Sequence, residues 1–253
     1  VLENACTMDK LIKEFINKPF WCPEPYMTLE QKTLGNYGVC CRSTPLPYKT
    51  TDTTIEEHFN SEQMQSIRDE LETEPSEYVN NYCAKCIYHE NSGLISRRQH
   101  RINQLLDTTQ EFKTKFSEIL QKSIDKDHIK LEDMQFYSIE FKFFGNLCNL
   151  QCLMCHPHQS SSIASDWKKR GKWNKQTHFN LYREYTDEQK EAFYKEMDKM
   201  LPNTLQVKFT GGEPLMNEDI LDLVQYMVDK GYSETIELTM ITNGTKLPQR
   251  FVD

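Results

Sequence analysis

Three cysteines stand close together after a short alternating apolar segment, at Cys148, Cys152 and Cys155. We call them the cysteine triplet. Three thiolates at this spacing on one loop can bind three irons of a [4Fe–4S] cubane, which offers four ligand positions. The fourth iron would then be open to a substrate or a cofactor. The spacing favours such a cluster, and the alternative is a structural zinc ion held by the triplet and by His156 or His158.

The chain contains nine cysteines, and six of them precede the triplet. In a chain without an export signal, such clustering indicates metal or cluster ligation rather than disulfide bonds. The segment from Cys22 to Cys86 is rich in Pro, Gly and Thr, with little helical periodicity before residue 55. We therefore expect a loop-dominated region that a metal site orders, and a four-cysteine zinc site is one candidate. Cys6 fits no such pattern and is interpreted as a plain thiol.

The elements that must position the triplet follow from the hydrophobic periodicity after residue 130. The predicted order is strand, helix, strand, helix, strand, over residues 137–143, 187–201, 205–209, 217–230 and 236–241. This order predicts βαβ units and a parallel sheet. An amphipathic helix over residues 100–124, kinked near Thr108 and Thr109, is the natural connector to the preceding region. Ser61 and Ser160 are the predicted caps of two further helices.

Composition and charge exclude several classes of protein. The 253 residues carry a formal net charge of -8, and 38% of them are hydrophobic, which is enough for a folded core. No apolar stretch reaches the roughly 20 residues of a membrane helix, and the acidic balance argues against a broad nucleic-acid surface. We expect a cytoplasmic protein. Because the chain begins with Val1 and ends soon after a strand, we also expect a fragment of a longer protein.

The spacing CxxxCxxC after a first strand resembles the signature of the radical S-adenosylmethionine (radical SAM) enzymes. The family's second element, GGEP, follows the second strand, and polar residues lie at the end of the third strand. By this resemblance, the positions expected to contact SAM are Met154, Gly211, Gly212, Glu213, Pro214, Thr242 and Asn243. The glycines permit close backbone approach, and the Glu213 carboxylate can pair with the ammonium of SAM. Many relatives have an aromatic residue at Met154, but the family's backbone contact to adenine does not require one.

The resemblance also implies a mechanism and partners. The triplet would hold a [4Fe–4S] cluster whose open iron binds SAM through its amino and carboxylate groups. An electron from the reduced cluster cleaves SAM, giving methionine and a 5′-deoxyadenosyl radical that abstracts hydrogen from a substrate. The implied partners are an electron donor such as flavodoxin or ferredoxin and a substrate, for which a peptide or protein is one candidate.

The cysteines nearer the N-terminus resemble a twitch domain, the shortened relative of the SPASM domain, which holds one auxiliary [4Fe–4S] cluster. The order along the chain is Cys22, Gly35, Cys40–Cys41, Cys83 and Cys86. The resemblance implies that Cys22, Cys40, Cys83 and Cys86 are the ligands. Because Cys41 is adjacent to Cys40, the identity of the second ligand is left open between these two thiols.

The combined prediction is an α/β protein with a loop-rich, SPASM-like twitch domain over residues 1–99 and a connecting helix over 100–130. The first half of a radical SAM partial (β/α)6 barrel follows over 131–253. Since only three strand units of the barrel are visible, we expect this piece alone to be inactive. Two other functions remain open: a non-catalytic iron–sulfur electron-transfer protein and a zinc-stabilised interaction module. SAM binding distinguishes the enzyme from both, and the metal content identifies the zinc module.

Overall fold

The computed structural model describes residues 10–32, 35–43, 45–47, 50, 52–72, 83–142, 145–172 and 186–252. Its strands are β1 (Thr28–Gln31), β2 (Tyr37–Gly38), β3 (Phe136–Phe141), β4 (Thr204–Phe209) and β5 (Glu237–Met240). They form one sheet in the order β2-β1-β3-β4-β5. The pairs β1–β3, β3–β4 and β4–β5 are parallel, and β1–β2 is antiparallel. The predicted parallel sheet is therefore confirmed. Phe143, at the end of the first predicted strand, and Cys6 lie outside the described residues.

The helices connect these strands and cover the sheet. They are α1 (Glu24–Met27), α2 (Ile55–Phe59), α3 (Glu62–Glu72), α4 (Ala84–Asn91), α5 (Arg97–Leu106), α6 (Gln110–Asp125), α7 (Ser161–Lys169), α8 (Asp187–Met200), α9 (Glu218–Asp229) and α10 (Gln249–Val252). Residues 10–16 are also helical. Short 3-10 turns lie at Leu131–Asp133, Leu201–Asn203, Pro214–Met216 and Tyr232–Glu234. No helix among the described residues is long and apolar enough to span a bilayer.

Side-chain caps determine where several helices begin. The Thr109 hydroxyl accepts the Phe112 amide at 3.2 Å and starts α6, so the predicted connecting helix is interrupted where the sequence indicated. The Ser61 hydroxyl accepts the Met64 amide at 3.3 Å and starts α3, as predicted. Each cap satisfies an amide that has no partner within its own helix. The shorter α2 precedes this cap, so the segment from residue 55 to residue 72 forms two helices.

The N-terminal region contains more regular structure than its composition indicates. All four residues of β1 are buried, and β1 runs parallel to β3, with Thr28 opposite Ser138 and Leu29 opposite Ile139. A strand of four residues leaves almost no periodic signal in a sequence, and its partner lies far along the chain. The sheet is therefore continuous across residue 99, where the sequence analysis divides the chain. That division stays a prediction.

The two faces of the sheet differ in chemistry, because side chains alternate along each strand. One face packs against the helices through residues that are 0% exposed: Leu29, Ile139, Phe141, Val207 and Phe209. The opposite face, which we call the polar face, presents Thr28, Glu30, Ser138, Glu140, Gln206 and Lys208. The apolar face holds the sheet in the core. The charged side chains of the polar face lie near the ends of the strands.

Candidate functional site

The loop that carries the cysteine triplet is held closed by its own polar groups. Ser160 caps α7 by accepting the Ile163 amide at 3.3 Å, as the sequence predicts, and its hydroxyl donates to the Leu150 carbonyl at 2.7 Å. The buried Asn146 side chain donates to the Pro157 carbonyl at 2.8 Å. These bonds tie the beginning of the loop to its end and to the start of α7. The backbone around the triplet is thus fixed without a disulfide.

The three thiols of the triplet lie near one another. The Cys155 amide donates to the Cys152 carbonyl at 3.0 Å, which makes a turn between them. Burial and then the neighbouring thiols of Cys152 and Cys148 raise the pKa of Cys155. Cys152 is exposed, whereas Cys148 and Cys155 are partly buried. Met154 is 87% exposed beside them. This is a donor set of three sulfurs on an accessible loop, which suits a cluster with one open position.

The loop after β4 presses directly against the triplet loop. Gly212 has a φ of +54°, and a Cβ atom added there would lie 2.6 Å from the Leu147 carbonyl oxygen. The amide of Glu213 donates to that same carbonyl at 2.7 Å. Only glycine combines this backbone conformation with so close an approach. The second glycine of the GGEP segment is therefore required by the contact between the two loops.

The Glu213 carboxylate is buried and joins the loop after β5. Its Oε1 atom accepts the Thr242 hydroxyl at 2.6 Å and the Leu215 amide at 3.2 Å. Its Oε2 atom accepts the Asn243 amide at 2.7 Å. The sequence analysis expects this carboxylate to pair with the ammonium of SAM, whereas here it connects two loops of the protein. The pairing with SAM stays a prediction, as does a SAM contact at Pro214, which starts the turn that follows.

The loop after β5 also reaches the triplet loop. Asn243 Nδ2 donates to Asn149 Oδ1 at 3.1 Å and lies 3.9 Å from Cys148 Sγ. Asn149 in turn donates to the Thr245 hydroxyl at 2.8 Å. The sequence analysis missed Asn149 and Thr245, because neither belongs to a motif; only the convergence of parallel strand ends brings them together. Three loops therefore meet at one edge of the sheet.

A second cysteine site is built from residues of the N-terminal part of the chain. One cavity is lined by Cys22, Cys40, Cys83 and Cys86, which are the four thiols that the sequence analysis selects. Cys22 precedes α1, Cys40 follows β2, and the other two lie at the start of α4. Residues far apart in the sequence are thereby brought to one place.

Cys40 and Cys41 differ in their surroundings. Cys40 lines the cavity beside Cys22, and the Ser43 amide donates to the Cys40 carbonyl at 3.1 Å. Burial raises the pKa of Cys40 to about 12 and that of Cys83 to about 11. Cys41 is not among the described residues that line the cavity. Of the two adjacent thiols, Cys40 is therefore the one that lies beside Cys22, Cys83 and Cys86.

Charged side chains surround the second cysteine site. Glu24 lines the cavity, and its Oε1 atom accepts hydrogen bonds from Arg97 Nε at 2.8 Å and from Arg101 Nε at 3.1 Å. Although burial opposes ionisation, Arg101 and Arg97 hold the pKa of Glu24 below its usual range. Arg98 lines the cavity as well and forms an ion pair with Glu90. The cavity therefore combines four thiols with two ion pairs, Arg97 with Glu24 and Arg98 with Glu90.

The donor sets fit iron–sulfur clusters in kind and number. Within the described ranges, no three His, Cys, Asp or Glu side chains converge closely enough to hold a single metal ion. A cubane binds through thiolates that stand further apart, because each thiolate binds a different iron. Three thiols at one site and four at the other correspond to a cluster with an open iron and a cluster with full protein ligation.

Comparisons with known proteins bear on the carboxyl-terminal part. Residues 143–253 match the family model described as the Radical SAM superfamily, and this range contains the triplet and both loops that contact it. The chain is also 30% identical over 102 residues to a protein named "Probable GTP 3',8-cyclase" from Thermococcus kodakarensis. That match covers 40% of this chain and 26% of the relative, about a quarter of its length. No solved structure matches the chain at a significant level.

Proposed function

We propose that this chain carries the active site of a radical SAM enzyme at the edge of the sheet where its three loops meet. The observation that carries the proposal is the contact of the Gly212–Glu213 segment with the Leu147 carbonyl, directly beside the cysteine triplet. The match of residues 143–253 to the radical SAM superfamily supports an enzyme of this type. When bound, the [4Fe–4S] cluster and SAM would supply the 5′-deoxyadenosyl radical for hydrogen abstraction.

The chain's own residues have distinct roles in this proposal. Cys148, Cys152 and Cys155 would bind the cluster. Glu213 aligns the loops after β4 and β5 through Thr242 and Asn243, and so determines the shape of the surface beside the open iron. Burying the carboxylate in these bonds limits the motion of both loops, which preorganises a SAM site. The backbone of the exposed Met154 and the two glycines would contact SAM.

We further propose that the N-terminal cavity binds an auxiliary [4Fe–4S] cluster through Cys22, Cys40, Cys83 and Cys86. The support is that these four thiols, which lie far apart in the sequence, line one cavity. A twitch domain over residues 1–99 is the corresponding module.

For the substrate of the whole protein we propose only a class of molecule. The name of the Thermococcus relative specifies GTP as what that protein acts on. A nucleotide is therefore one candidate class here, and a peptide or protein, expected from the sequence, is the other. Flavodoxin or ferredoxin is the proposed electron donor, and the cytoplasm is the proposed location.

The decisive experiment measures iron, sulfide and zinc per chain after anaerobic reconstitution, followed by SAM cleavage with a chemical reductant. We expect about eight irons with matching sulfide, because two cubanes require that number. Cys152→Ala should lose about four irons and SAM cleavage, and Cys83→Ala should lose about four irons from the other site. SAM cleavage that persists in Cys152→Ala would refute the assignment of the triplet.

The same measurement separates the other two functions. Iron and sulfide without SAM binding would indicate an electron-transfer protein. One or two zinc ions without sulfide would indicate a zinc-stabilised interaction module. SAM binding and iron content are measured alongside cleavage, so that each assignment is tested independently of turnover.

A further inference from the structure

A cleft apart from both cysteine sites lies where the end of β1, the start of α2 and one side of α8 meet. Its volume is about 240 Å³, and its lining includes Gln31, Glu57 and Glu196. Gln31 follows Leu29 by two residues, so its side chain lies on the same side of the sheet as the apolar face. No cysteine is among the described residues that line it. We call it the acidic cleft.

Hydrogen bonds of the protein hold the walls of the acidic cleft in place. Glu196 Oε1 on α8 accepts the Ile55 amide at 2.7 Å, which ties α8 to the start of α2. Glu57 Oε2 accepts the Thr54 amide at 2.8 Å, and the Thr54 hydroxyl accepts the Glu57 amide at 3.2 Å, which forms a capping box. A carboxylate has about four lone-pair sites, so both glutamates keep capacity for further donors.

The described lining of the acidic cleft contributes negative charge only. Asp52, Glu57 and Glu196 supply three carboxyl groups, and none of the described lining residues is Lys, Arg or His. Burial raises the pKa of Glu196 to about 7, and Lys199 on the same helix offsets only part of this rise. A carboxylate withdrawn from water is stabilised by a cation beside it. A positively charged ligand would supply the cation that the described lining lacks.

A buried amide oxygen in the wall of the acidic cleft indicates a ligand that donates hydrogen bonds. Gln31 lines the cleft and is 2% exposed. Its Oε1 atom is buried and has no donor in the part of the chain that the structure describes. Buried acceptors are nearly always bonded to the protein, a ligand or ordered water. This observation is independent of the charge, and it favours a ligand that carries N–H groups.

The arrangement of the lining favours an organic cation over a metal ion. Among the described residues, no three His, Cys, Asp or Glu side chains lie close enough together to hold a metal ion. Ile55, Ala192 and Phe193 line the same cleft, and such apolar groups suit methylene carbons rather than a hydrated ion. The volume lies just below the range of about 300–1,000 Å³ for drug-sized ligands, so the ligand is small.

We propose that the acidic cleft binds a small aliphatic amine with two ammonium groups. The ammonium groups pair with Glu57 and Glu196, an N–H group donates to Gln31 Oε1, and the methylene chain packs against Phe193. The amine lies between β1, α2 and α8, and it stabilises the folded chain because it binds only where these elements are together. The site shares no residue with the proposed active site, so the two proposals stand independently.

The test titrates the reconstituted protein with putrescine by calorimetry at pH 8, where Glu196 is ionised. Butane-1,4-diol has the same carbon chain without the charges and is the control ligand. We expect Glu57→Gln and Glu196→Gln, which keep the shape and an acceptor oxygen, each to bind putrescine about fivefold more weakly. Gln31→Met, which removes the amide, should bind it about threefold more weakly. Glu118→Gln, at an exposed glutamate of α6, should bind it as the unaltered protein does.

Three results would overturn the proposal. They are the absence of putrescine binding to the unaltered protein, an equal Kd in the cleft variants and Glu118→Gln, and binding of butane-1,4-diol as tight as that of putrescine. A lysine-rich peptide that binds where putrescine does not would also overturn it, because the surface would then take a macromolecule. Circular dichroism checks that each variant is folded, and iron content measured on the same samples reports on the cysteine sites separately.

Discussion

The Thr242 hydroxyl donates to Glu213 Oε1 at 2.6 Å, which joins the loops that follow β4 and β5. Both residues belong to segments that sequence analysis assigns to SAM contact. Their mutual bond gives them a second role that does not require a ligand. The protein's own side chains therefore tie the loops at the carboxyl edge of the sheet together, and these contacts can be perturbed one residue at a time.

Substitution of Gly212 by alanine should disrupt the contact between the two loops that follow β3 and β4. The new Cβ would lie 2.6 Å from the Leu147 carbonyl oxygen, so one of the loops must move. We expect loss of about four irons per chain, from the triplet, with retention of the others. Gly231→Ala is the matched control, since its φ is also positive and no atom lies within 4 Å of the added Cβ. Equal iron content in the two variants would contradict the contact.

Removal of the Thr242 hydroxyl should weaken SAM binding without loss of iron. In Thr242→Val, the buried Glu213 carboxylate loses a bond of 2.6 Å, and the loop after β5 becomes less ordered. A charge-assisted hydrogen bond contributes about 1.5–3 kcal/mol, so we expect roughly a tenfold rise in the Kd of SAM. Thr235→Val is the control, because the Thr235 hydroxyl is exposed and donates only to the Tyr232 carbonyl. Calorimetric titration with SAM measures the Kd of both variants.

Serine substitutions at the adjacent thiols should separate Cys40 from Cys41. Only Cys40 of the two is among the described residues that line the N-terminal cavity. We expect Cys40→Ser to hold about four fewer irons than the unaltered protein, while Cys41→Ser holds the full number, about eight. Iron and sulfide analysis after reconstitution is the measurement. The reverse pattern would transfer the ligand role to Cys41.

Glu196 should make the stability of the protein dependent on pH. Its Oε1 atom accepts the Ile55 amide at 2.7 Å, and burial raises its pKa to about 7. Because the folded protein holds this proton more tightly than the unfolded chain, the free energy of unfolding should fall as pH rises from about 4.5 to about 7. Glu196→Gln keeps the acceptor and removes the charge. We expect it to reduce that fall by on the order of 2 kcal/mol.

Denaturant unfolding at several pH values between 4.5 and 8 measures this effect. Glu118→Gln, an exposed glutamate of α6, is the matched control and should leave the pH profile unchanged. Parallel profiles for the unaltered protein and Glu196→Gln would show that burial does not shift this carboxyl group.

The sequence predicted best what depends on local pattern. The alternation around Ile139 and the periodicity of α9 indicated a strand and a helix directly, and the caps at Ser61 and Ser160 follow from nearby residue types. The GGEP segment was singled out by its resemblance to the radical SAM enzymes, and its contact with SAM stays a prediction. Its contact partner, the Leu147 carbonyl, has no side-chain signature and could not be found this way.

What depends on distant pairing was not predictable. The position of β1 beside β3 requires partners that only the folded sheet brings together. The alignment of Glu30, Glu140 and Lys208 on the polar face is equally hidden, because they are ordinary polar positions of three separate strands until their register is known. The choice between Cys40 and Cys41 also depends on backbone geometry, since the two residues are neighbours of identical type.

The parallel pairing of β1 with β3 has a consequence for biosynthesis. Thr28 lies opposite Ser138, so roughly 110 residues of chain must leave the ribosome between the two halves of the pair. At about 5–20 residues per second, β1 waits roughly 5–20 s for its partner. Cys22 emerges before that interval and the other three thiols of the N-terminal cavity emerge during it, so all four precede the strand that completes the sheet. The nascent chain would therefore expose these thiols before it has a core to protect them from oxidation.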